Sequence, residues 1–302
     1  MAYWARAWTI SPFLAYGTRL RHNPIPPYHH GGFDTKQRIL MKHITSSHND
    51  QLKQLAKLLT SAKTRREQQQ TVLEGTHLLD AYLNSQQTPQ HVYIPEAKLA
   101  HNETQQLLAR LHHNQITVVS TTALSKISSL ADGAEIMSLI ALPTETQVPQ
   151  QGDCVVLERL QDPGNMGTIL RSAAAAGVQQ VILSVDCVDV WSPKVLRSAM
   201  GAHFLLQLFT RVDLLAWQQH YQAPLWATAL SEHNNYSLYQ LSLTPTCAWL
   251  FGNEGSGVSP AMQQAATGTV KIPMLGATES LNVAMAATIC LFEQMRQRLS
   301  HS

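Results

Sequence analysis

Cysteine, charge and long apolar runs are all scarce in this 302-residue chain, and each scarcity excludes something. The four cysteines, Cys154, Cys187, Cys247 and Cys290, stand far apart with no C-x-x-C pair, each in an apolar segment. That spacing excludes a disulfide scaffold and a thiolate metal knuckle, and it predicts buried thiols in a reducing cytoplasm. The fourteen histidines show no H-x-x-x-H and no mixed Cys/His spacing, so no metal site is expected. No charge-free apolar run reaches the length of a membrane span, and the apolar N-terminal stretch is interrupted by Arg6 and by Ser11-Pro12. Neither a membrane span nor a signal peptide is expected. Charged residues make up only 14% of the chain, with a formal net charge of +2. That sum is too small to announce a nucleic-acid partner by itself.

What is abundant is apolar material, 44% of the chain, enough for a sizeable core and for two domains. The distribution of charge also says more than its total. Between Lys36 and Arg66 there are eight Lys or Arg and one acid, Asp50. Lys42, Lys53, Lys57, Lys63, Arg65 and Arg66 fall around Leu52, Leu55, Leu58 and Leu59, whose spacing predicts a helix with one buried stripe. The cations are either an ordinary solvated face or a surface for RNA phosphates, in which case Lys42, Lys53, Arg65 and Arg66 are the candidate contacts.

Residues 1–40 are rich in aromatics, His and Pro without sustained periodicity, and read as an irregular extension; regular structure is expected to start at Met41, where the ancestral chain is expected to begin. From 41 to 142 helical patterns alternate with short apolar strands at Thr71–Leu73, His91–Ile94, Ile116–Val119 and Ile136–Leu142, a small α/β unit. Residues 143–153, with two prolines and little that is apolar, read as a linker. From 154 to 302 the alternation is stronger, with strands expected at Val155–Leu157, Val181–Leu183, Phe204–Leu208, Leu225–Leu230, Ala248–Phe251 and Val270–Pro273. Ser192-Pro193 and Ser259-Pro260 mark two helix starts. A final helix from about Ser280 to Leu299 carries Leu281, Met285, Ile289, Phe292, Met295 and Leu299 at steps of three and four, a core stripe or an oligomer interface. The fold class that follows is α/β, a mainly parallel sheet with helices on both faces behind a smaller α/β unit.

Three Gly-rich corners punctuate the second unit. In LQDPGNMGTILRSAAAAG, residues 160–177, a strand turns into a helix of small side chains interrupted by one cation, Arg171. It is either an ordinary turn with a surface Arg or a grip on a phosphate or carboxylate. In LFGNEGSGVS, residues 250–259, Gly252 and Gly257 have P-loop spacing, but Val258 replaces the required lysine, which weakens a nucleotide-hydrolase reading. A glycine-lined backbone remains, holding Glu254. In IPMLGATESLNVAMAA, residues 272–287, a strand breaks at Pro273, and Ser280 and Asn282 could each cap the helix that follows.

In this order and near the chain end, DPGNMGTILRSAAAAG, FGNEGSGVS and IPMLGATESLNVAMAA resemble the three signature motifs of the SpoU (TrmH) family of RNA 2′-O-ribose methyltransferases, of the SPOUT class. The resemblance covers about residues 152–299, with Ala284-Met285 standing where the family commonly has a small polar residue and a valine. Residues 42–142 are similar to the L30e-like substrate-binding domain that precedes the catalytic domain in many members. The resemblance implies a SPOUT-type domain with a deep trefoil knot that binds S-adenosylmethionine. Leu250, Gly252, Ile272, Met274 and Leu281 would surround the cofactor, and Asn165, Arg171, Glu254, Ser280 and Asn282 would form the catalytic site. It further implies a homodimer and an RNA substrate, ribosomal rather than transfer RNA. Arg171 would be the central residue, as general base or as the group that orients the phosphate and stabilises a developing 2′-oxyanion. A guanidinium is a poor base at neutral pH, which favours the second role. Glu254 would either order its loop by accepting backbone N–H bonds or touch the substrate. The competing reading from another class is an RNA-binding protein that keeps the fold without the transfer reaction, against which the presence of all five catalytic candidates argues.

Overall fold

The computed structural model describes residues 42–130, 133–144, 146–228 and 235–300. The expected irregular extension and the expected start at Met41 lie outside the described residues.

The first sheet is built from β1 (Lys42–Ile44), β2 (Gln70–Glu74), β3 (His91–Pro95), β4 (Ile116–Val119) and β5 (Met137–Ala141), in the order β1-β4-β3-β5-β2. β1, β4 and β3 are parallel, and β5 runs antiparallel to both β3 and β2. Around them lie α1 (Asp50–Thr60), α2 (Ala62–Gln68), α3 (Thr76–Asn84), α4 (Asn102–Leu108) and α5 (Thr121–Ser125). α1 forms as its spacing predicts: the Asn49 side chain accepts from Gln51 N, Asp50 sits in the positive first turn, and Leu52, Leu55, Leu58 and Leu59 are buried. β1 has only three residues, Lys-His-Ile, too short for any periodic signal, and the sequence reading missed it.

The second sheet comprises β6 (Cys154–Leu157), β7 (Gln180–Ser184), β8 (Gln207–Val212), β9 (Leu225–Thr228), β10 (Asn235–Ser237), β11 (Ala248–Phe251) and β12 (Gly268–Lys271). Its order is β10-β12-β9-β11-β6-β7-β8, and every pair is parallel. Such a sheet needs cover on both faces, and its helices are α6 (Pro163–Ala175), α7 (Pro193–Ala199), α8 (Leu214–Gln218), α9 (Pro260–Ala265) and α10 (Val283–Leu299). Cys154, Val156, Ala248 and Leu250 pack with Leu214, Trp217 and Met262 on one face. Val155, Leu157, Trp249 and Phe251 pack with Leu170, Leu196 and Leu291 on the other. Ser192 and Ser259 cap α7 and α9 with Pro at the first helical position, as the sequence predicts.

One strand is displaced. The apolar run at Phe204 does not extend, because Met200 (φ 51°) and Gly201 (φ 87°) end α7 left-handed and Ala202–Leu205 continue as a 3-10 turn. β8 therefore starts at Gln207. The last helix starts three residues late, at Val283, because Asn282 and not Ser280 is its cap.

The two sheets share one apolar cluster: Leu73, Leu78, Tyr82 and Ile140 pack with Val155, Met166, Leu196 and Ala202. Polar contacts reinforce the junction. Arg65 donates from Nε to Asp189 Oδ2 at 2.7 Å, and also to the Leu58 carbonyl. Thr71 Oγ1 donates to Trp191 O at 2.9 Å. Arg197 Nη1 reaches Glu74 Oε2 at 3.0 Å, where the Ser129 hydroxyl also donates. The stretch read as a linker is itself pinned, since Trp217 Nε1, Gln222 N and Tyr221 OH donate to the carbonyls of Pro149, Gln150 and Gly152 at 2.7, 2.8 and 2.6 Å. A buried Trp donor and a partly buried Tyr donor need acceptors, and the polar segment supplies them. Three of the cysteines are buried as expected, whereas Cys187 is half-exposed; all four thiols are free.

Candidate active site

All three Gly-rich corners lie beyond the C-terminal ends of parallel strands, after β6, β11 and β12, the edge at which open α/β sheets bind ligands. Local chemistry shapes each. Asp162 caps α6 by accepting from Asn165 N at 2.8 Å, with Pro163 at the first helical position. Gly167 lets α6 meet α7: a Cβ there would lie 2.4 Å from Ser198 Cβ and 2.6 Å from Ala199 N. In the second corner Asn253 and Gly257 pair through both backbone groups at 3.1 and 2.8 Å, and Asn253 Oδ1 accepts from the N–H groups of Gly255 and Ser256. Gly252 is the glycine this turn cannot do without. A Cβ on it would stand 2.1 Å from Gly257 C and 2.2 Å from Val258 N.

Glu254 orders the loops, one of the two roles its sequence context left open. Its carboxylate accepts from Asp162 N at 2.8 Å, from Gln161 N at 3.1 Å and from Asn165 Nδ2 at 3.2 Å. Burial pushes this carboxyl upward, but the N–H groups of Asp162, Glu254 itself and Gln161, together with the Asn165 amide, outweigh it and hold the group below the usual carboxylate range. The chain of bonds continues: Asn282 Nδ2 donates to Asn165 Oδ1 at 2.9 Å, while Asn282 Oδ1 accepts from Ala284 N and Met285 N. A carboxylate only accepts, so the direction Asn282 to Asn165 to Glu254 fixes both amide orientations. Asn282 is a cap and also the third link of a polar chain that joins all three corners.

Arg171 lies on the exposed side of α6 and has no hydrogen-bond or ion-pair partner among the described residues. Next to it, Ser172 exchanges a 2.7 Å hydroxyl bond with Thr288 that ties α6 to α10. Ser280 is exposed two residues ahead of the Asn282 cap. The structure thus bonds Asn165, Glu254 and Asn282 together and leaves Arg171 and Ser280 outside that chain. Of the residues expected around a cofactor, Gly252 is buried, Ile272 and Met274 are half-buried and Leu281 is exposed. The Leu250 side chain is fully buried in the core between the sheet and α8 and α9, which leaves its main chain as the part that could face a ligand. Asn253, which shapes the loop, was missed although its Asn-x-Gly setting is a turn signal.

The basic N-terminal face needs a correction. Arg65 is 3% exposed and paired with Asp189, so its guanidinium serves the junction between the sheets and is not available to an RNA phosphate. Lys42 and Lys53 are exposed, bonded to Gln51 at 2.7 Å and Asp50 at 3.0 Å, and Arg66 is exposed. A cleft of about 720 Å³ lies beside Arg66, Trp191, Phe209 and Arg211, away from the polar chain. Among the described residues no cluster of His, Cys, Asp and Glu is placed to hold a metal ion, and no helix is long and apolar enough to cross a membrane.

Residues 153–292 match the SpoU rRNA Methylase family, and residues 49–138 match the MRM3-like substrate binding domain. An uncharacterized tRNA/rRNA methyltransferase of Synechocystis is 36% identical over 86% of this chain and 95% of its own length. The 23S rRNA (guanosine(2553)-2'-O)-methyltransferase RlmP of Bacillus subtilis is 29% identical over 83% of this chain and 98% of its own. Among solved structures, the AdoMet-bound rRNA methyltransferase of Sinorhizobium meliloti superposes with a TM-score of 0.72 at 26% identity, over 85% of this chain and 98% of that one.

Proposed function

The chain belongs to the SpoU rRNA methylase family, and on that premise we propose that it transfers a methyl group from S-adenosylmethionine to a ribose 2′-hydroxyl of ribosomal RNA. The observation that carries this reading is the Asn282–Asn165–Glu254 chain, which gathers the three motif loops at the ligand-binding edge of the sheet, with Arg171 exposed on α6.

The residues present fit the cofactor. The turn from Gly252 to Gly257 offers backbone without bulky side chains, Gly276 has open space around it, and Ile272, Met274 and Leu281 leave apolar surface uncovered. Gly252, Ile272, Met274, Leu281 and the Leu250 main chain would hold it. When bound, S-adenosylmethionine supplies an electrophilic sulfonium methyl. The protein has to present the ribose oxygen in line and stabilise the charge that develops on it, and positioning of this kind can be worth up to about 7–11 kcal/mol. Arg171 orients the phosphate beside the 2′-hydroxyl and stabilises the oxyanion with its planar fork of N–H donors. Glu254, Asn165 and Asn282 keep the loops that flank the reaction in register, and Ser280 lies on the third of them.

The division into a substrate-binding part (41–142), a connecting segment (143–153) and a catalytic part (154–302) belongs to this proposal and is supported by the two matched segments. So does the trefoil knot, supported by the late insertion of β11 between the earlier strands β6 and β9. A homodimer through α10 is supported by Met285, Phe292 and Leu299, exposed at seven-residue spacing. The free thiols support a cytoplasmic setting.

The test is transfer of radiolabelled methyl from S-adenosylmethionine to unmodified rRNA and to tRNA, with the product mapped as an alkali-resistant ribose. Arg171→Ala is expected to abolish transfer while still binding cofactor, and Arg171→Lys to remain poor. Near-normal turnover of Arg171→Ala would sink the assignment.

A further inference from the structure

We propose that Arg159, with its neighbour Glu158, is a positioning residue that holds the 252–259 turn in its cofactor-binding shape; the proposal rests on the reading of that turn given above. Neither residue lies in the three motifs. Arg159 is a non-glycine residue in the left-handed region, φ 54°, two residues past the end of β6. Such a conformation persists only where its surroundings enforce it. Here the enforcement comes from several sides. The Arg159 N–H donates to Ser184 Oγ at 2.9 Å, and its carbonyl accepts from Asn253 Nδ2 at 2.9 Å. Its guanidinium donates from Nη2 to the Gly257 carbonyl at 3.4 Å.

Glu158 holds the other end of the same turn. Its carboxylate, on a residue 7% exposed, accepts from Ser259 N at 2.7 Å, and its backbone N–H extends the sheet to Phe251 O at 2.9 Å. Asn253, Gly257 and Ser259 are therefore each anchored to these two consecutive residues, while Glu254 from the same turn grips the backbone of Gln161 and Asp162 in return. The grip is reciprocal, and the guanidinium reaches the Gly257 carbonyl from the side. Arg159 Nε is buried without a hydrogen bond and lies 3.9 Å from Glu158 Oε1, so the side chain is held over Gly257 by attraction to the buried carboxylate and by the carbonyl bond. Removing it frees the Gly257 side of the turn without touching any catalytic candidate.

The experiment compares wild type with Arg159→Ala, Arg159→Lys and Glu158→Gln by calorimetric titration with S-adenosylmethionine and by steady-state methyl transfer with each substrate varied. The expected result for Arg159→Ala is a rise of about tenfold in both Kd and KM for S-adenosylmethionine, the equivalent of about 1.4 kcal/mol. With it, kcat should fall less than about twofold and KM for RNA should stay unchanged, a pattern of lost ground-state binding. Arg159→Lys should regain part of the loss, because an ammonium can still donate to the Gly257 carbonyl. Unchanged cofactor affinity in Arg159→Ala would overturn the proposal alone, and so would a rise confined to KM for RNA, which would make Arg159 an RNA contact. A wild-type protein that binds no S-adenosylmethionine would overturn the functional reading and this proposal with it.

Discussion

Gly252→Ala is the sharpest test of whether the second corner is a built site. A Cβ at this position would meet three backbone atoms, Gly257 C at 2.1 Å, Val258 N at 2.2 Å and Gly257 O at 2.3 Å. Ordinary contact begins near 3.4 Å, so one strand of the turn has to retreat by about 1.3 Å, and no flexible side chain is there to yield instead. Overpacking of this kind costs typically about 1–3 kcal/mol. Because the turn lies beyond the sheet, the distortion should fall on the Asn253–Gly257 pairing and on the Glu254 bonds to Gln161 and Asp162 before it reaches the core. A displacement of about 1 Å can cost about a hundredfold in rate where catalysis depends on positioning. The assay is kcat/KM for methyl transfer, with calorimetric binding of S-adenosylmethionine and a thermal melt for each variant. Gly252→Ala should lose about a hundredfold or more in kcat/KM and bind the cofactor weakly, while the melt stays cooperative. Gly255→Ala, whose Cβ meets only Asn253 Oδ1 at 3.6 Å, should keep the wild-type melting temperature. Wild-type cofactor affinity in Gly252→Ala would refute the argument, since it would mean that the shape of this turn does not matter for binding.

Three further expectations concern the scaffold. Arg298→Ala removes a fork to Asp153 (2.6 and 2.9 Å) and bonds to the carbonyls of Leu243 and Pro245, so denaturant unfolding should show a loss of about 1–3 kcal/mol; an unchanged midpoint would mean that solvent replaces the clamp at no cost. Burial holds the His203 imidazole down at about 4 against an ordinary 6.5, so the unfolded chain takes up a proton between those values that the native state refuses. Stability should therefore decline as pH falls from about 6.5 to about 4, and His203→Gln, which can still donate to the Val190 carbonyl, should flatten that part of the profile. Burial raises all four thiols, with Cys154 and Cys247 pushed up to about 12, so a thiol reagent at pH 8 should label the native protein at Cys187 at most and all four cysteines after unfolding. Rapid labelling of Cys247 in the native state would contradict the burial on which this rests.

Much of what is local in this protein could be read from the chain. The Ser-Pro helix starts, the leucine stripe of α1 and the glycine turns depend on residues within one helical turn of one another, and each formed where its chemistry placed it. The order of the three corners carried the family likeness for the same reason. What tertiary structure decided is which distant groups meet. Asn165 and Glu254 are 89 residues apart and Asn165 and Asn282 are 117 apart, so no spacing rule could tell that one chain of hydrogen bonds would join them. Arg65 sits on the same helical pattern as the solvated cations around it, and only the fold brings Asp189, 124 residues away, close enough to bury it. Ser280 and Asn282 looked equally able to cap the last helix, and the choice fell to Asn282, whose amide alone could serve the helix at one end and Asn165 at the other. A side chain's local preferences are set by its own backbone, but its partners are set by packing, and packing is a property of the whole chain.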